Sequence, residues 1–174
     1  MSDLGPPGFA DFVRTRYARL ARTAYLLTGD RGHAEDLVQS ALVITLTHWD
    51  RLTAVEAAES YARTTMLRLS RRWGRRRWRH EVATPQPQLA LVGGAGAAPD
   101  PGHDPALALD IRALLATLPW AQRAVLVLRY FDDLSERETA AVLGCSEGTV
   151  KSRASRALAA LRSAQGLRAE VDDE

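Results

Sequence analysis

The stretch Leu134–Arg162, LSERETAAVLGCSEGTVKSRASRALAALR, decides the fold. Ser135 followed by Glu138 is a capping box and predicts a helix start. That helix runs to Leu143 and stops at Gly144, because glycine best tolerates the left-handed conformation that follows a helix end. Ser146 caps a second helix almost at once. In it Val150, Ala154, Ala157, Leu158 and Leu161 recur on one face. Thr149, Ser152, Ser155 and Arg156 fall on the other, flanked by Lys151 and Arg153. Two short helices joined by a tight glycine-containing turn make a helix-turn-helix, and Ala140 is small enough for a close crossing. The outward face carries hydroxyls and cations near its N-terminal end, the part such motifs set against base edges in the major groove. An ordinary αα-hairpin of a bundle is the alternative on this stretch alone.

Upstream, Asp104-Pro105 opens the unit that contains this motif, with Asp104 as cap and Pro105 at the first helical position. Leu107, Ile111, Leu114, Leu115 and Leu118 form the buried stripe of that helix. Pro119 starts the next, WAQRAVLVLRYF, apolar on nearly every side and so placed in a bundle core, and Asp132-Asp133 ends it. Residues 83–104 change character: prolines, glycines and alanines dominate and no periodicity survives, which predicts a flexible linker. It is too long for a connection inside one compact domain. His103 with Asp100 and Asp104 is read as solvated loop rather than a metal site.

The N-terminal part reads as three more helices. Phe9, Phe12, Val13, Tyr17, Leu20, Ala24 and Leu27 repeat at helical spacing until Thr28-Gly29-Asp30. A second helix, from about Gly32 to Trp49, turns Leu37, Ala41, Leu42, Thr45 and Trp49 toward the first. Asp36, Gln39, Ser40 and Val43 share a different, exposed face, which by residue type alone is a solvated stripe. Asp50 to Glu59 reads as a loop or weakly helical connection, and a third helix starts at Ser60. Ala62, Thr65, Met66, Leu69 and Trp73 mark its buried side, while Arg63, Arg68, Arg71, Arg72, Arg75, Arg76, Arg77 and Arg79 supply a dense positive surface. Trp73 and Trp78 interrupt the arginines. Guanidinium groups neutralise phosphates and flat indoles stack on bases, so the mixture predicts nucleic-acid binding.

Composition agrees with this reading. Net charge is only +2 over 174 residues, but the cations are segregated into the third helix and the helix-turn-helix. Lys151 is the only lysine, and arginine suits bidentate phosphate and guanine contacts. No apolar run is long enough to span a bilayer, and the N-terminus lacks the layout of a signal peptide, so the expected location is the cytoplasm with no membrane insertion. A single cysteine, Cys145, excludes an internal disulfide framework and is expected to be a small packing residue. The expected class is all-α: two small helical domains on a flexible linker, with boundaries 1–82, 83–104 and 105–168 and an acidic tail at 169–174.

Three segments together resemble the extracytoplasmic-function group of the sigma-70 family of bacterial RNA polymerase sigma factors, of the sigma-E-like actinobacterial type. LGCSEGTVKSRASRAL is similar to the family's region 4.2, AEDLVQSAL to its region 2.2 helix, and LPWAQRAVLVLRYFDDLS to the approach to its helix-turn-helix. The resemblance covers about Phe9 to Leu167. It implies that the first domain binds core polymerase and the −10 promoter element, and that the second binds the −35 element. It implies core-binding roles on the beta-prime clamp for Asp36, Gln39, Ser40 and Val43, with Ser40 standing where an acidic residue is common. It implies −35 contacts for Thr149, Lys151, Ser152, Arg153, Ser155 and Arg156, and −10 contacts for Arg68, Arg71, Arg72, Trp73, Arg75, Arg76, Arg77 and Trp78. Arg68 stands where relatives often carry an asparagine of the pocket that reads a flipped −10 base, and Thr139 where a larger aliphatic residue is usual. Expected partners are core RNA polymerase through its beta-prime and beta subunits, and promoter DNA; the resemblance also allows an anti-sigma factor. No cofactor, metal or enzymatic activity is expected. An autonomous dimeric helix-turn-helix regulator is the alternative reading. A metal-dependent nuclease built on Asp132, Asp133 or the His103 cluster lacks a partner His or Lys at useful spacing.

Overall fold

Helix boundaries follow local chemistry. In the computed structural model, which describes residues 6–79 and 105–172, with side chains described for 6–73 and 111–164, α1 spans Phe9–Thr28. It ends because Gly29 takes left-handed backbone (φ 75°) and donates its N–H to the Tyr25 carbonyl. Asp30 then adopts extended backbone and accepts the His33 N–H, which starts α2 (Arg31–Thr47). A 3₁₀ turn at Trp49–Arg51 leads to α3 (Val55–Arg79). This helix begins five residues before the expected Ser60, because Glu56, Ala57, Ala58 and Glu59 are good helix formers with no breaker among them.

The second unit comprises α4 (Pro105–Ala116), α5 (Trp120–Leu126), α6 (Glu136–Leu143) and α7 (Glu147–Asp172). Among the described residues all regular structure is helical, as the sequence predicts. The proline start of α4 is as expected; Asp104 and the 83–104 linker lie outside the described residues. The helix expected from Pro119 to Phe131 is α-helical only to Leu126. It widens into a π-helical turn over Val127–Phe131, closed by the Asp132 N–H donating to the Val127 carbonyl at 3.0 Å. The acidic tail expected at 169–174 is also helical to Asp172, because Leu167, Arg168, Ala169 and Glu170 favour helix and outweigh Gly166.

One apolar core runs through both units. Phe12, Leu20, Leu27, Leu37, Val38 and Met66 of the first are contiguous with Leu115, Leu118, Leu126, Val127 and Leu128 of the second. A smaller cluster of Val125, Ala140 and Val150 sits under the helix-turn-helix. Polar groups of the second unit also complete helix ends of the first. Arg123 donates to the Leu27 carbonyl at 2.8 Å and Arg112 to the Gly29 carbonyl at 2.9 Å, so two arginines satisfy carbonyls orphaned at the end of α1. Burial pulls the Arg123 guanidinium below its usual range.

Asp132 lies at the centre of this junction. The π-helical turn delivers it between α1 and α3, where it is 2 % exposed. Its carboxylate accepts the Thr23 hydroxyl at 2.7 Å and the Arg63 Nε–H at 3.1 Å, and its carbonyl accepts from Arg19 at 2.7 Å. Glu59 counters the arginines, meeting Arg63 at 2.6 Å, Arg16 at 3.2 Å and Arg19 at 3.5 Å. Arg63, expected on the positive surface, is therefore a buried core arginine; its place beside Ala62 and Met66 on the inward side explains the difference. Desolvation raises the Asp132 carboxyl above its usual range, while Thr23, Arg63 and Arg19 pull it back. Its folded value stands above the unfolded one, so its contribution to stability is greatest in acid and falls as pH rises through the raised value.

Thr139 is fully buried in α6 and, among the described residues, its hydroxyl has no hydrogen-bond partner. An orphaned buried hydroxyl costs about 1–3 kcal/mol. Thr139→Val keeps the shape and should raise stability by about 1 kcal/mol in chemical denaturation; a lower midpoint would contradict the packing described.

Candidate nucleic-acid interface

The helix-turn-helix is built as its sequence dictates. Ser135 accepts the Glu138 N–H at 3.2 Å and the Glu138 carboxylate accepts the Ser135 N–H at 2.8 Å, a complete capping box. The Ser135 hydrogen bonds hold the Glu138 carboxyl below its usual range. Gly144 is left-handed (φ 64°), and the Cys145 N–H returns to the Ala140 carbonyl at 3.0 Å. Cys145 is half-buried and packs against the small cluster below the motif. Ser146 accepts the Thr149 N–H at 3.1 Å, which fixes the first turn of α7.

Val150 and Ala157 anchor α7 inward, each 0 % exposed. Lys151, Ser152, Ser155 and Arg156 face solvent, while Thr149 and Arg153 are half-buried at the edges. The six residues expected to read DNA thus share one side of one helix. They differ in how committed they are. The Thr149 hydroxyl lies 2.8 Å from that of Ser146, Ser152 donates to the Thr149 carbonyl, and Lys151 reaches Glu136 at 3.4 Å. Among the described residues Ser155 and Arg156 make no intramolecular hydrogen bond or ion pair.

On α2, Asp36, Gln39 and Val43 are exposed and Ser40 is half-buried. Val43, 53 % exposed, is the aliphatic member of this otherwise polar stripe. On α3, Arg68, Arg71 and Arg72 are exposed. Trp73 is half-buried against the common core, so less of its indole is free to stack than the sequence suggested. The side chains of Arg75, Arg76, Arg77 and Trp78 lie outside the described residues.

A pocket of about 380 Å³ opens at the start of α3, lined by Leu52, Ala57, Ser60, Tyr61, Thr64, Thr65 and Arg68. Of these, the sequence pattern assigns a DNA-facing role to Arg68 and a place on the buried side to Thr65. The signal was present: Ser60, Tyr61, Thr64 and Thr65 stand at i, i+1, i+4 and i+5, which sets four hydroxyls along one side of a helix. Arg68 crowns the pocket, and among the described residues its guanidinium has no carboxylate partner. The lining carries hydroxyls and one guanidinium, but most of its exposed area is apolar and it opens widely to solvent.

Among the described residues no three His, Cys, Asp or Glu side chains are grouped to hold a metal ion, and Asp100, His103 and Asp104 lie outside them. Asp132 and Asp133 are not paired as a catalytic site: Asp132 is locked in the buried network, and Asp133 is exposed with left-handed backbone (φ 56°). No helix of the described residues is long and apolar enough to cross a membrane.

Two family models match the chain. The model of "Sigma-70 region 2" matches residues 12–80 and that of "Sigma-70, region 4" matches residues 108–161. The chain is 42% identical over 154 residues to the RNA polymerase sigma-E factor of Streptomyces avermitilis, covering 88% of this chain and 83% of the relative. It is 40% identical to that of Streptomyces coelicolor, with 88% and 84% covered. Among solved structures, the fold is similar to CnrH in complex with the cytosolic domain of CnrY (TM-score 0.59, 21% identity, 91% of this chain and 88% of that one). It is also similar to the sigma factor RpoE in complex with the anti-sigma factor NepR from Bartonella quintana (TM-score 0.58, 24% identity, 88% and 95%).

Proposed function

The chain belongs to the extracytoplasmic-function group of the sigma-70 family of RNA polymerase sigma factors, and we propose that it divides promoter-specific initiation among three surfaces. The α2 stripe of Asp36, Gln39, Ser40 and Val43 docks on the beta-prime clamp of core polymerase. The N-terminal half of α7 enters the major groove of the −35 element. The arginine face of α3, with its pocket, holds strand-separated −10 DNA. The observation that carries this reading is the exposure of the three stripes on three different helices of a chain whose two matched regions span most of its length.

Each surface has its own physics. On α7, Arg156 and Ser155 are free to contact base edges, while Lys151 and Arg153 are better placed for phosphates that set register. At −10, flipping a base out of the stack costs a few kcal/mol. Enclosure in the hydroxyl-lined pocket and attraction of phosphate to Arg68, Arg71 and Arg72 offset that cost. No bond is made or broken by this chain; the chemistry belongs to core polymerase. Work on DNA places the chain in the cytoplasm, and a protein that sequesters it, of the anti-sigma kind, fits this group. The alternative, an autonomous dimeric regulator, leaves the Arg68–Arg72 face and the pocket without a purpose.

Asp36→Arg should lower affinity for core polymerase at least tenfold, while Arg156→Ala leaves it unchanged and weakens preference for the cognate −35 element by about 1–3 kcal/mol. Affinity measurements with core, and competition between specific and scrambled duplexes, check both; loss of core binding in Arg156→Ala would contradict the division. Arginine pairs best with the two acceptors of guanine and asparagine with adenine. Arg68→Asn should therefore shift the base favoured at the flipped −10 position from guanine toward adenine, read from a randomised single-stranded −10 library bound by holoenzyme. An unchanged preference would remove Arg68 from the pocket's reading of the base.

A further inference from the structure

We propose that Glu136 is a specificity-determining residue of the helix-turn-helix: its carboxylate withholds the Lys151 ammonium from loosely held phosphates, so that duplex DNA without the preferred sequence is penalised more than the preferred −35 element. The proposal deepens, and rests on, the reading that the N-terminal half of α7 faces duplex DNA.

The motif does not need this pairing for its own construction. The cap of α6 is complete without Glu136: the Glu138 carboxylate accepts the Ser135 N–H at 2.8 Å and the Ser135 hydroxyl at 2.6 Å. Glu136, the first residue of α6, has one partner among the described residues, the Lys151 ammonium of α7 at 3.4 Å. An acid in the first turn also suits the helix dipole, a purely structural role. The choice of cation points further. On the proposed DNA side of α7, Arg153 and Arg156 make no ion pair among the described residues, and Lys151 alone is tied to an acid. Lys151 is also the only lysine of the chain, a compact point charge that can exchange a carboxylate for a phosphate without the fixed geometry a guanidinium fork demands.

Position gives the pair its consequence. In a helix-turn-helix the first helix crosses the DNA backbone while the second enters the major groove. The start of α6 therefore lies toward phosphates, and Glu136 stands there as a like charge. With side-chain exposures of 64 % for Lys151 and 35 % for Glu136, the partners can part without unburying anything. Such an exposed pair shifts an equilibrium by only about two- to fivefold. A phosphate fixed within reach can displace the carboxylate; a mobile one cannot. On the preferred sequence, base contacts hold α7 in one register and present Lys151 with a fixed phosphate. On other sequences binding is almost wholly electrostatic and no register is fixed. There the ammonium stays with Glu136, one phosphate contact is forgone, and the carboxylate repels the backbone. Glu136 thereby sharpens discrimination without touching a base.

The test titrates the full chain with two duplexes over a range of salt: one selected from a random pool by the full chain itself, the other a scramble of it. Glu136→Gln keeps size and helix propensity and removes the charge. On the scrambled duplex it should bind about two- to fivefold tighter. Its log affinity should also fall more steeply with log salt, by about 0.9, the increment of one more phosphate contact. On the selected duplex affinity should change by less than about twofold, so the specificity ratio falls. Lys151→Ala should leave the scrambled-duplex slope unchanged in the original chain and reduce it by about 0.9 in the Glu136→Gln background. A Glu136 that served only the helix dipole would move helix stability and neither slope. Unchanged affinity and slope of Glu136→Gln on the scrambled duplex, or an equal gain on both duplexes, overturns the proposal. A selection that returns no preferred sequence overturns the −35 reading of α7 instead, while the scrambled-duplex slopes still decide whether Glu136 holds Lys151.

Discussion

The packing of the α5 segment against α1 and α3 is the constraint on which the rest of the structure depends. Neither unit completes its own core: Leu126, Val127 and Leu128 lie in the same apolar cluster as Leu20, Leu27 and Met66. Helix ends of the first unit are satisfied by arginines of the second. The π-helical turn is part of the same solution. The extra residue it accommodates carries Asp132 into the gap between α1 and α3, where a regular helix would set it elsewhere. A buried ionic group adds little net stability, but it is demanding about position, so it converts greasy association into one defined arrangement.

This arrangement leaves the functional surfaces unequally available. The α2 stripe and the outward side of α7, the surfaces proposed for polymerase and duplex DNA, remain exposed. The α3 face is different. Arg68 and its pocket are open and Arg71 and Arg72 are exposed, whereas Ser70 is buried and accepts the Trp120 indole N–H.

Local structure was legible wherever a cap or a glycine dictated it. Ser135–Glu138, Gly144, Thr28-Gly29-Asp30 and Pro105 each marked a boundary that the structure keeps. The start of α3 was misplaced because no breaker separates Val55 from Ser60, and periodicity alone does not fix an end. The π-helical turn left no trace, since it conserves composition and apolar spacing. Arg63 shows the limit of reading charge as surface: it lies among arginines in sequence, yet its helical phase places it inside with Glu59 and Asp132. Glu59 lies one helical turn away, but Asp132 is distant along the chain, so only tertiary structure reveals that partner. The same holds for the pocket, whose hydroxyls were visible in sequence but whose lining also takes in Leu52 from the turn before α3. The separateness expected of two units on a linker gave no hint that they share a core.

The proposed surfaces serve one act, the start of RNA synthesis at a chosen site. Run-off transcription with purified bacterial core polymerase on genomic promoter fragments tests it most directly. The account predicts RNA that depends on this chain and has a discrete 5′ end downstream of paired −35 and −10 elements. Core polymerase that gives the same products with and without the folded chain would contradict it.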